Sequence, residues 1–315
     1  MEKQATTETF FDYLDAVAMA LYDQDKTLYL EGVKYALEFL LDDEINKEVF
    51  ESTSTKMKQA KRSILKLSFD PETIRKAIQL ALLRGFKHAK ITNAQMTPDT
   101  IGIFISYLIK KLYPENPPKQ VLDPLVGTGN LIATLSNHYK SSFMVHGIDD
   151  DPLMCDLARN MCDSLDIEQQ IYLQNTLTFQ AGAYDLIVTD FPPKKVGDKL
   201  EYLPYLTIIH HLDHLKEGHF FIAVIENDFF DQKQNNVFKK LLKEKAHMFG
   251  LIKLDESLFK NHPKSILILK KKGEDDNILD NFLLVDLPPF SDQTAFNQAL
   301  GKMETWFKKK EVDVQ

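Results

Sequence analysis

The stretch from Gln120 to Asp149, QVLDPLVGTGNLIATLSNHYKSSFMVHGID, limits what the rest of the chain can become. Val121 and Leu122 follow a proline-rich break, Asn116-Pro117-Pro118, and predict a short buried strand that Asp123 and Pro124 stop. Gly127-Thr128-Gly129 then makes a tight turn, and Leu131 to Leu135 continue with helical character. Glycine in such a turn lets the backbone pass close to a ligand, because no Cβ stands in the way. A second strand, Phe143 to Ile148, ends in Asp149, 20 residues beyond Gly129. That length suits one βαβ crossover whose acidic tip receives the ribose hydroxyls of a nucleoside lying over the glycine loop. A lone G-x-G is weak, since ordinary strand-to-helix turns carry it. Here loop, crossover length and terminal acid agree on nucleoside binding.

The chain beyond Asp149 continues the same alternation. DDPLMCDLARNMCDSLDI is an amphipathic helix with Leu153, Leu157, Met161 and Leu165 on one face. Ile171 to Leu173 predicts a third strand followed by Asn175, and Tyr184 to Thr189 a fourth that runs into Asp190-Phe191-Pro192-Pro193. Parallel sheets hold ligands at the carboxyl ends of their strands, so Asp123, Asp149, Asn175 and Asp190 are expected along one edge. Farther on come a helix over Pro204 to Leu215, a buried strand from His219 to Ile225 after Gly218, and a basic helix over Phe238 to Lys245. Gly250 to Leu254 and Ser265 to Lys270 predict an antiparallel pair, and Lys270 to Asp276 a solvated turn. Phe282 to Asp286 predicts an edge strand, and Gln293 to Lys310 a closing helix.

Upstream, residues 1–90 carry helical periodicity and almost no strand signal. Phe10, Phe11, Leu14, Val17, Ala18 and Leu21 form one apolar stripe, and Tyr29, Val33, Ala36, Leu37, Leu40 and Leu41 another. Asp70-Pro71-Glu72 opens a further helix that ends in Arg84, Lys87, His88 and Lys90. These cations fit a helix C-terminus better than a nucleic-acid contact. Thr97-Pro98-Asp99 predicts one more helix start. The chain is thus expected to divide into a helical N-terminal domain, 1–90, and an α/β domain, 91–315.

Composition bounds this picture without naming a function. The 315 residues leave room for a large α/β domain and a smaller one. A hydrophobic share of 44% and a charged share of 27% are those of a soluble globular protein. The net charge of −8 argues against a broad nucleic-acid coat but leaves a local basic groove open. Cys155 and Cys162, seven residues apart on one helix face, are expected to be buried small hydrophobes in a reducing compartment. His210, His211 and His214 have no nearby carboxylate at metal-ligand spacing, so packing is expected of them and no metal. No run is long and apolar enough to span a membrane, and no secretory core opens the chain; the expected location is cytoplasmic.

From about Asn93 to Lys272 the sequence resembles the class I S-adenosylmethionine-dependent methyltransferases of the adenine-N6 DNA methylase type. It looks most similar to the modification subunits of type I restriction systems and to small stand-alone bacterial relatives. Asn93 to Pro98 resembles a Q-x-x-T-P stretch that packs over the methionine end of the cofactor. Asp123 to Asn130 resembles a D-P-x-x-G-T/S-G loop, and Gly147 to Pro152 a G-x-D/E-x-D-P strand end that binds ribose. Glu226 to Phe230 and Lys253 to Lys272 resemble the downstream strand and closing hairpin. The resemblance implies a Rossmann-like fold: a mostly parallel sheet, a C-terminal antiparallel hairpin and the helical domain in front. It implies S-adenosyl-L-methionine as cofactor, held by Thr97, Asp123, Gly127, Thr128, Gly129, Asp149, Asp150, Asn175 and Asp190. It implies DNA or another nucleic acid as partner, with no membrane, and leaves monomer and homodimer both open.

The catalytic turn departs from the family pattern. That pattern is N/D-P-P-Y/F: the first side chain and a prolyl carbonyl accept hydrogen bonds from the target amino group, and the aromatic ring stacks on the flipped base. This chain has Asp190-Phe191-Pro192-Pro193-Lys194. Asp190, Phe191 and Pro192 are the expected catalytic positions, with Phe191 offered in place of the missing stacking ring. Asn175 stands where the family has an acid against the adenine, and no segment is large enough for a separate target-recognition domain. Lys194, Lys195 and Lys199 either meet a phosphate backbone or lie on an exposed loop. The leading expectation is methyl transfer to an exocyclic amine, adenine N6 in DNA foremost. A relative that keeps the cofactor fold without methylase activity is the alternative, favoured by the altered turn and the acidic charge. A nicotinamide-dependent oxidoreductase is a third, opposed by the Asp-Pro before the loop and by the single G-x-G.

Overall fold

The computed structural model describes residues 6–93, 96–139, 142–193, 202–259, 262–273 and 282–312. Lys194, Lys195, Lys199 and the Glu274-Asp275-Asp276 end of the expected turn lie outside them.

Local chemistry starts and stops the N-terminal helices. Thr6 accepts the Thr9 N–H at 3.3 Å and opens α1, Thr7–Asp25, which ends on Lys26 in the left-handed region. Helices α2, Tyr29–Asp42, and α3, Glu51–Ile64, follow. The carbonyls that close α2, on Phe39 and Leu40, are taken at 2.6 and 3.0 Å by the buried ammonium of Lys61 from α3. Asp70 caps α4, Pro71–Ala89, by accepting the Thr73 N–H at 3.0 Å, with Pro71 at its first position. The two predicted stripes face inward with one clear exception, Leu41, which is 42% exposed. After Pro98, α5 spans Asp99–Leu112.

The described strands form one sheet of eight in the order β3-β2-β1-β4-β5-β7-β6-β8. Strands β1 (Gln120–Asp123), β2 (Met144–Asp149), β3 (Gln169–Leu173), β4 (Tyr184–Asp190) and β5 (Leu215–Glu226) are parallel. Strand β7, Lys264–Lys271, lies antiparallel between β5 and β6, Ala246–Lys253, and β8, Leu283–Asp286, pairs parallel with β6 at the edge. The helices between them are α6 (Asn130–Tyr139), α7 (Pro152–Ser164), α8 (Leu203–His211), α9 (Asn235–Lys245) and α10 (Gln293–Val312).

Alternation along the strands assigns the helices to two faces. Val121 joins the apolar cluster of one face and Leu122 that of the other. The first face carries α1 to α7 and α10, in a cluster that runs from Phe10 through Ile105 and Ile132 to Phe307. The second buries Ile187, Phe221 and Leu267 under Tyr205 and Ile208 of α8 and Phe238 and Leu242 of α9. Cys155 and Cys162 are both buried and free, as α7 turns them onto the sheet.

Several boundaries differ from the sequence expectation: α9 begins at Asn235 and β6 at Ala246, earlier than Phe238 and Gly250, and two more lie around α8 and β5. Strand β5 begins at Leu215, not His219, and Gly218, with φ +74°, sits inside it. The register beside β4 shifts there, from Tyr184 opposite Leu215 to Leu186 opposite Phe220. A glycine expected to precede the strand instead sits inside it, at a bulge after which pairing resumes. The helix expected through Leu215 ends at His211 and gives way to a 3-10 turn over Leu212–His214.

One buried cation ties the first helices to the sheet. Arg75 of α4 is 0% exposed. Its guanidinium donates to both oxygens of Asp99 on α5, at 3.0 and 2.8 Å, to both of Glu72, at 2.8 and 2.7 Å, and to Asn130 Oδ1 at 3.2 Å. Burial pushes the Glu72 carboxyl up, but Arg75 and Asn137 hydrogen bonds and the Arg75 charge outweigh it and bring it down to about 2. Replacing Arg75 by Met leaves two carboxylates and an amide facing an apolar group. We expect Arg75→Met to lower the unfolding free energy by about 3–5 kcal/mol in a denaturant titration. Arg75→Lys should not restore it, because a point ammonium cannot fork onto both carboxylates. A loss under about 1 kcal/mol, the range of exposed pairs, would contradict this role.

Candidate cofactor and catalytic site

The glycine loop after β1 has the backbone its sequence demanded. Gly127 and Gly129 have φ of +52° and +79°, where a side chain is strained. A Cβ on Gly129 would lie 3.2 Å from Ala158 Cα, so that glycine lets the loop pack on α7. A Cβ on Gly127 would meet nothing within 4 Å; it would project toward the cleft the residue borders. The Gly127 N–H is donated to Asp149 Oδ2 at 3.0 Å, and the Asp151 N–H to Asp149 Oδ1 at 2.9 Å. A carboxylate offers about four acceptor positions, so each Asp149 oxygen keeps one for a diol. Burial, the first cause, raises the Asp149 pKa, with backbone hydrogen bonds opposing it.

The cleft encloses about 1080 Å³ and is bordered by Gly127, Thr128, Asp149, Asp150, Asn175, Asp190, Phe191 and Pro192. Eight expected positions thus meet in one concavity of nucleoside-cofactor size. The Asn175 carbonyl oxygen accepts the Leu177 N–H at 2.9 Å, which leaves its amide NH₂ to donate. Asp123 lies beneath the cleft floor, 2% exposed, with one oxygen on the Leu125 N–H at 3.0 Å. Burial, helped by the charges of Asp190 and Asp149, pushes its carboxyl up to about 7. A carboxylate so placed favours a cation close by. Thr97 stands beside Asp190, donating its hydroxyl to Asp190 Oδ2 at 2.9 Å.

The turn after β4 corrects one expectation and adds a residue. The Phe191 ring is 2% exposed and packs in the apolar cluster with Ile187, Tyr205 and Phe229. It cannot stack on a base, because its N–H extends the β4–β5 pairing to Val224 O at 3.0 Å and turns the ring into the core. The half-buried ring on the cleft wall is Tyr202, edge-on to Tyr205 at 4.8 Å. Sequence reasoning missed Lys264. Its ammonium lies 2.5 Å from Asp190 Oδ1 and 3.0 Å from Phe191 O, and the side chain is 1% exposed. A lysine heading the apolar run Ser265 to Leu269 was the available signal, since a buried strand seldom opens on an unpaired ammonium.

Charge around the cleft is negative. Asp149, Asp150, Asp151, Glu226, Asp228 and Asp231 border it with Asp190, against Lys233 among the described residues. The cations expected to end α4 are partly spent on packing: Arg84 pairs with Asp15 at 2.7 Å and His88 stacks on Tyr29 at 4.9 Å.

Apart from the cleft, His210, His211 and His214 gather with ring nitrogens within 4.8 Å of one another. His211 is 0% exposed and shares a 2.7 Å hydrogen bond with Thr176. Burial, then the neighbouring imidazoles, pushes its pKa down to about 3. The folded state therefore resists protonation that the unfolded chain accepts near 6.5. Stability from this group is complete above pH 6.5 and is lost as pH falls toward 3. At pH 5 the loss is about 2 kcal/mol. His211→Gln should flatten the pH 7 to 5 fall in unfolding free energy by that amount; parallel curves for both proteins would refute the assignment.

A 3-2-1-4-5-7-6 sheet core with a glycine loop after β1, a ribose-type acid after β2 and an acidic turn after β4 defines a class I S-adenosylmethionine-dependent methyltransferase fold. Residues 81–311 match the N-6 DNA Methylase family, and the chain belongs to that family. Residues 8–86 match the YtxK N-terminal helical domain. YtxK of Bacillus subtilis is 30% identical over 319 residues, covering 95% of this chain and 97% of that protein. A crystal structure from Listeria monocytogenes, solved as a candidate class I S-adenosylmethionine-dependent methyltransferase, superposes with a TM-score of 0.86 at 29% identity, over 96% of this chain and 98% of that one. The modification subunit of a type I restriction enzyme candidate from Vibrio vulnificus shares the fold, with a TM-score of 0.66 at 12% identity over 97% and 91% of the two chains.

Proposed function

We propose that the chain binds S-adenosyl-L-methionine in this cleft and transfers its methyl group to an exocyclic amine, with adenine N6 in nucleic acid as the acceptor its family suggests. The observation that carries the reading is the meeting of Asp149, Asn175 and Asp190, above buried Asp123, at the carboxyl edge of four parallel strands. Bound there, the cofactor supplies an electrophilic methyl on a sulfonium. Asp149 accepts the ribose hydroxyls through its free lone pairs, and Asn175 donates its amide to the adenine edge. Asp123 balances the positive charge of the cofactor, which a cleft rich in carboxylates welcomes. Asp190 and the Phe191 carbonyl accept from the incoming amine, orient its lone pair and take up its developing positive charge. In this reading residues 91–315 are the catalytic domain, residues 1–90 its helical companion, and the protein works in the cytoplasm.

A second reading, a cofactor-binding relative without methylase activity, draws on two observations. The acidic cleft repels a phosphate backbone. The buried ammonium of Lys264 already holds Asp190.

Calorimetric titration with S-adenosylmethionine, with NAD as control, tests the site. The wild type is expected to bind only the former, and Asp149→Ala to bind it at least about tenfold more weakly. Equal affinity in the two proteins would remove Asp149 from the site. Methyl transfer from labelled cofactor to DNA, RNA and protein pools tests the reaction. Asp190→Ala should abolish turnover while keeping affinity for the uncharged product S-adenosylhomocysteine within about threefold, since an acceptor-orienting group acts on the transition state. Should affinity and turnover fall together, Asp190 serves the cofactor and not the amine.

A further inference from the structure

Lys264 is a buried cation at the site to which the proposed chemistry gives no task. It opens β7 opposite Glu226 of β5, yet its ammonium reaches past that neighbour to the turn after β4. There it bridges two acceptors, a carboxylate oxygen of Asp190 at 2.5 Å and the Phe191 carbonyl at 3.0 Å. The remaining Asp190 oxygen is taken by the Thr97 hydroxyl at 2.9 Å. An acceptor amine has two hydrogens to place, and on the reading above it would place them on this same carboxylate and carbonyl.

We propose that the ammonium of Lys264 stands where the acceptor amine would stand, so that the Asp190–Phe191 pair is a primary-amine site closed by the chain's own lysine. The inference rests on the cofactor reading of the cleft. A protonated ammonium has no lone pair and cannot accept a methyl group, so Lys264 is an inert occupant. It also sets a positive charge beside the place a sulfonium must take. A substrate amine gains the two acceptors only by displacing it. The side chain has somewhere to go, because it also borders a second cavity of about 450 Å³ lined by Met96, Thr97, Leu258 and Phe259.

The rival explanation is an ordinary ion pair that neutralises a buried carboxylate. Both place the same charge beside the cofactor, so they differ in what the emptied pair does with a primary amine. Removing a lysine that occupies the acceptor position lets adenosine, which carries an exocyclic amine, take up the two acceptors. Removing a lysine that only neutralises Asp190 opens no such site.

Wild type and Lys264→Met, each saturated with S-adenosylhomocysteine, are therefore titrated with adenosine by calorimetry. Lys264→Met is expected to bind adenosine at least about tenfold more tightly than the wild type. Equal or weaker binding overturns the inference and leaves the cofactor reading standing. Failure of S-adenosylhomocysteine to bind either protein overturns both. Should Lys264→Met not fold, the double variant Lys264→Met/Asp190→Asn removes the charge pair and keeps two oxygens facing the emptied position. It must still bind adenosine more tightly than the wild type for the inference to survive.

Discussion

The buried guanidinium of Arg75 holds together parts of the chain that are far apart in sequence. It is fully enclosed, and each carboxylate and amide it touches belongs to a different part of the architecture. Glu72 lies on its own helix, Asp99 opens α5, and Asn130 opens the helix that follows the glycine loop. Asn130 passes the connection on, donating its amide to the Thr97 carbonyl at 3.0 Å. Thr97 donates to Asp190, and Asp190 holds Lys264. A continuous polar chain thus runs from the first helical layer to the turn after β4. Each link is buried or partly buried, so breaking one strands a polar partner away from water. The N-terminal helices are therefore part of how the site is held.

Two demands meet in the cleft. Carboxylates at the strand ends favour a cation beside them, and Asp123 is the most enclosed of them. A polyanionic substrate needs the reverse field, and the rim from Glu226 to Asp231 does not provide it. The glycine loop and the strand-end carboxylates follow the family pattern, and the turn after β4 carries the departures. Phe191 is swallowed by the core, Tyr202 stands on the wall, and Lys264 sits on Asp190 and the Phe191 carbonyl.

How much of this the sequence could show depends on how local each determinant is. The loop Gly127-Thr128-Gly129 was legible because positive φ is a demand on a single residue that glycine meets. The Asp149 position followed from the fixed length of a crossover, and the shared edge of Asp149, Asn175 and Asp190 from the rule that parallel strands point one way. The helix start at Asp70 was legible for the same reason: its cap is made by a neighbour in sequence. Gly218 misled, because the same residue type ends a strand or bulges it, and only pairing with β4 decides which.

The sequence by itself therefore determined the class of fold, the glycine loop and the place of Asp149 beside it at the cleft, all set by backbone geometry over short distances. The tertiary structure alone decided what each polar side chain does once enclosed. Nothing near Arg75, Phe191 or Lys264 in sequence says that the first clasps Asp99, that the second turns inward, or that the third crosses to Asp190 from 74 residues away. Those outcomes follow from burial: a charge withdrawn from water must find the opposite charge wherever the packed chain has brought it.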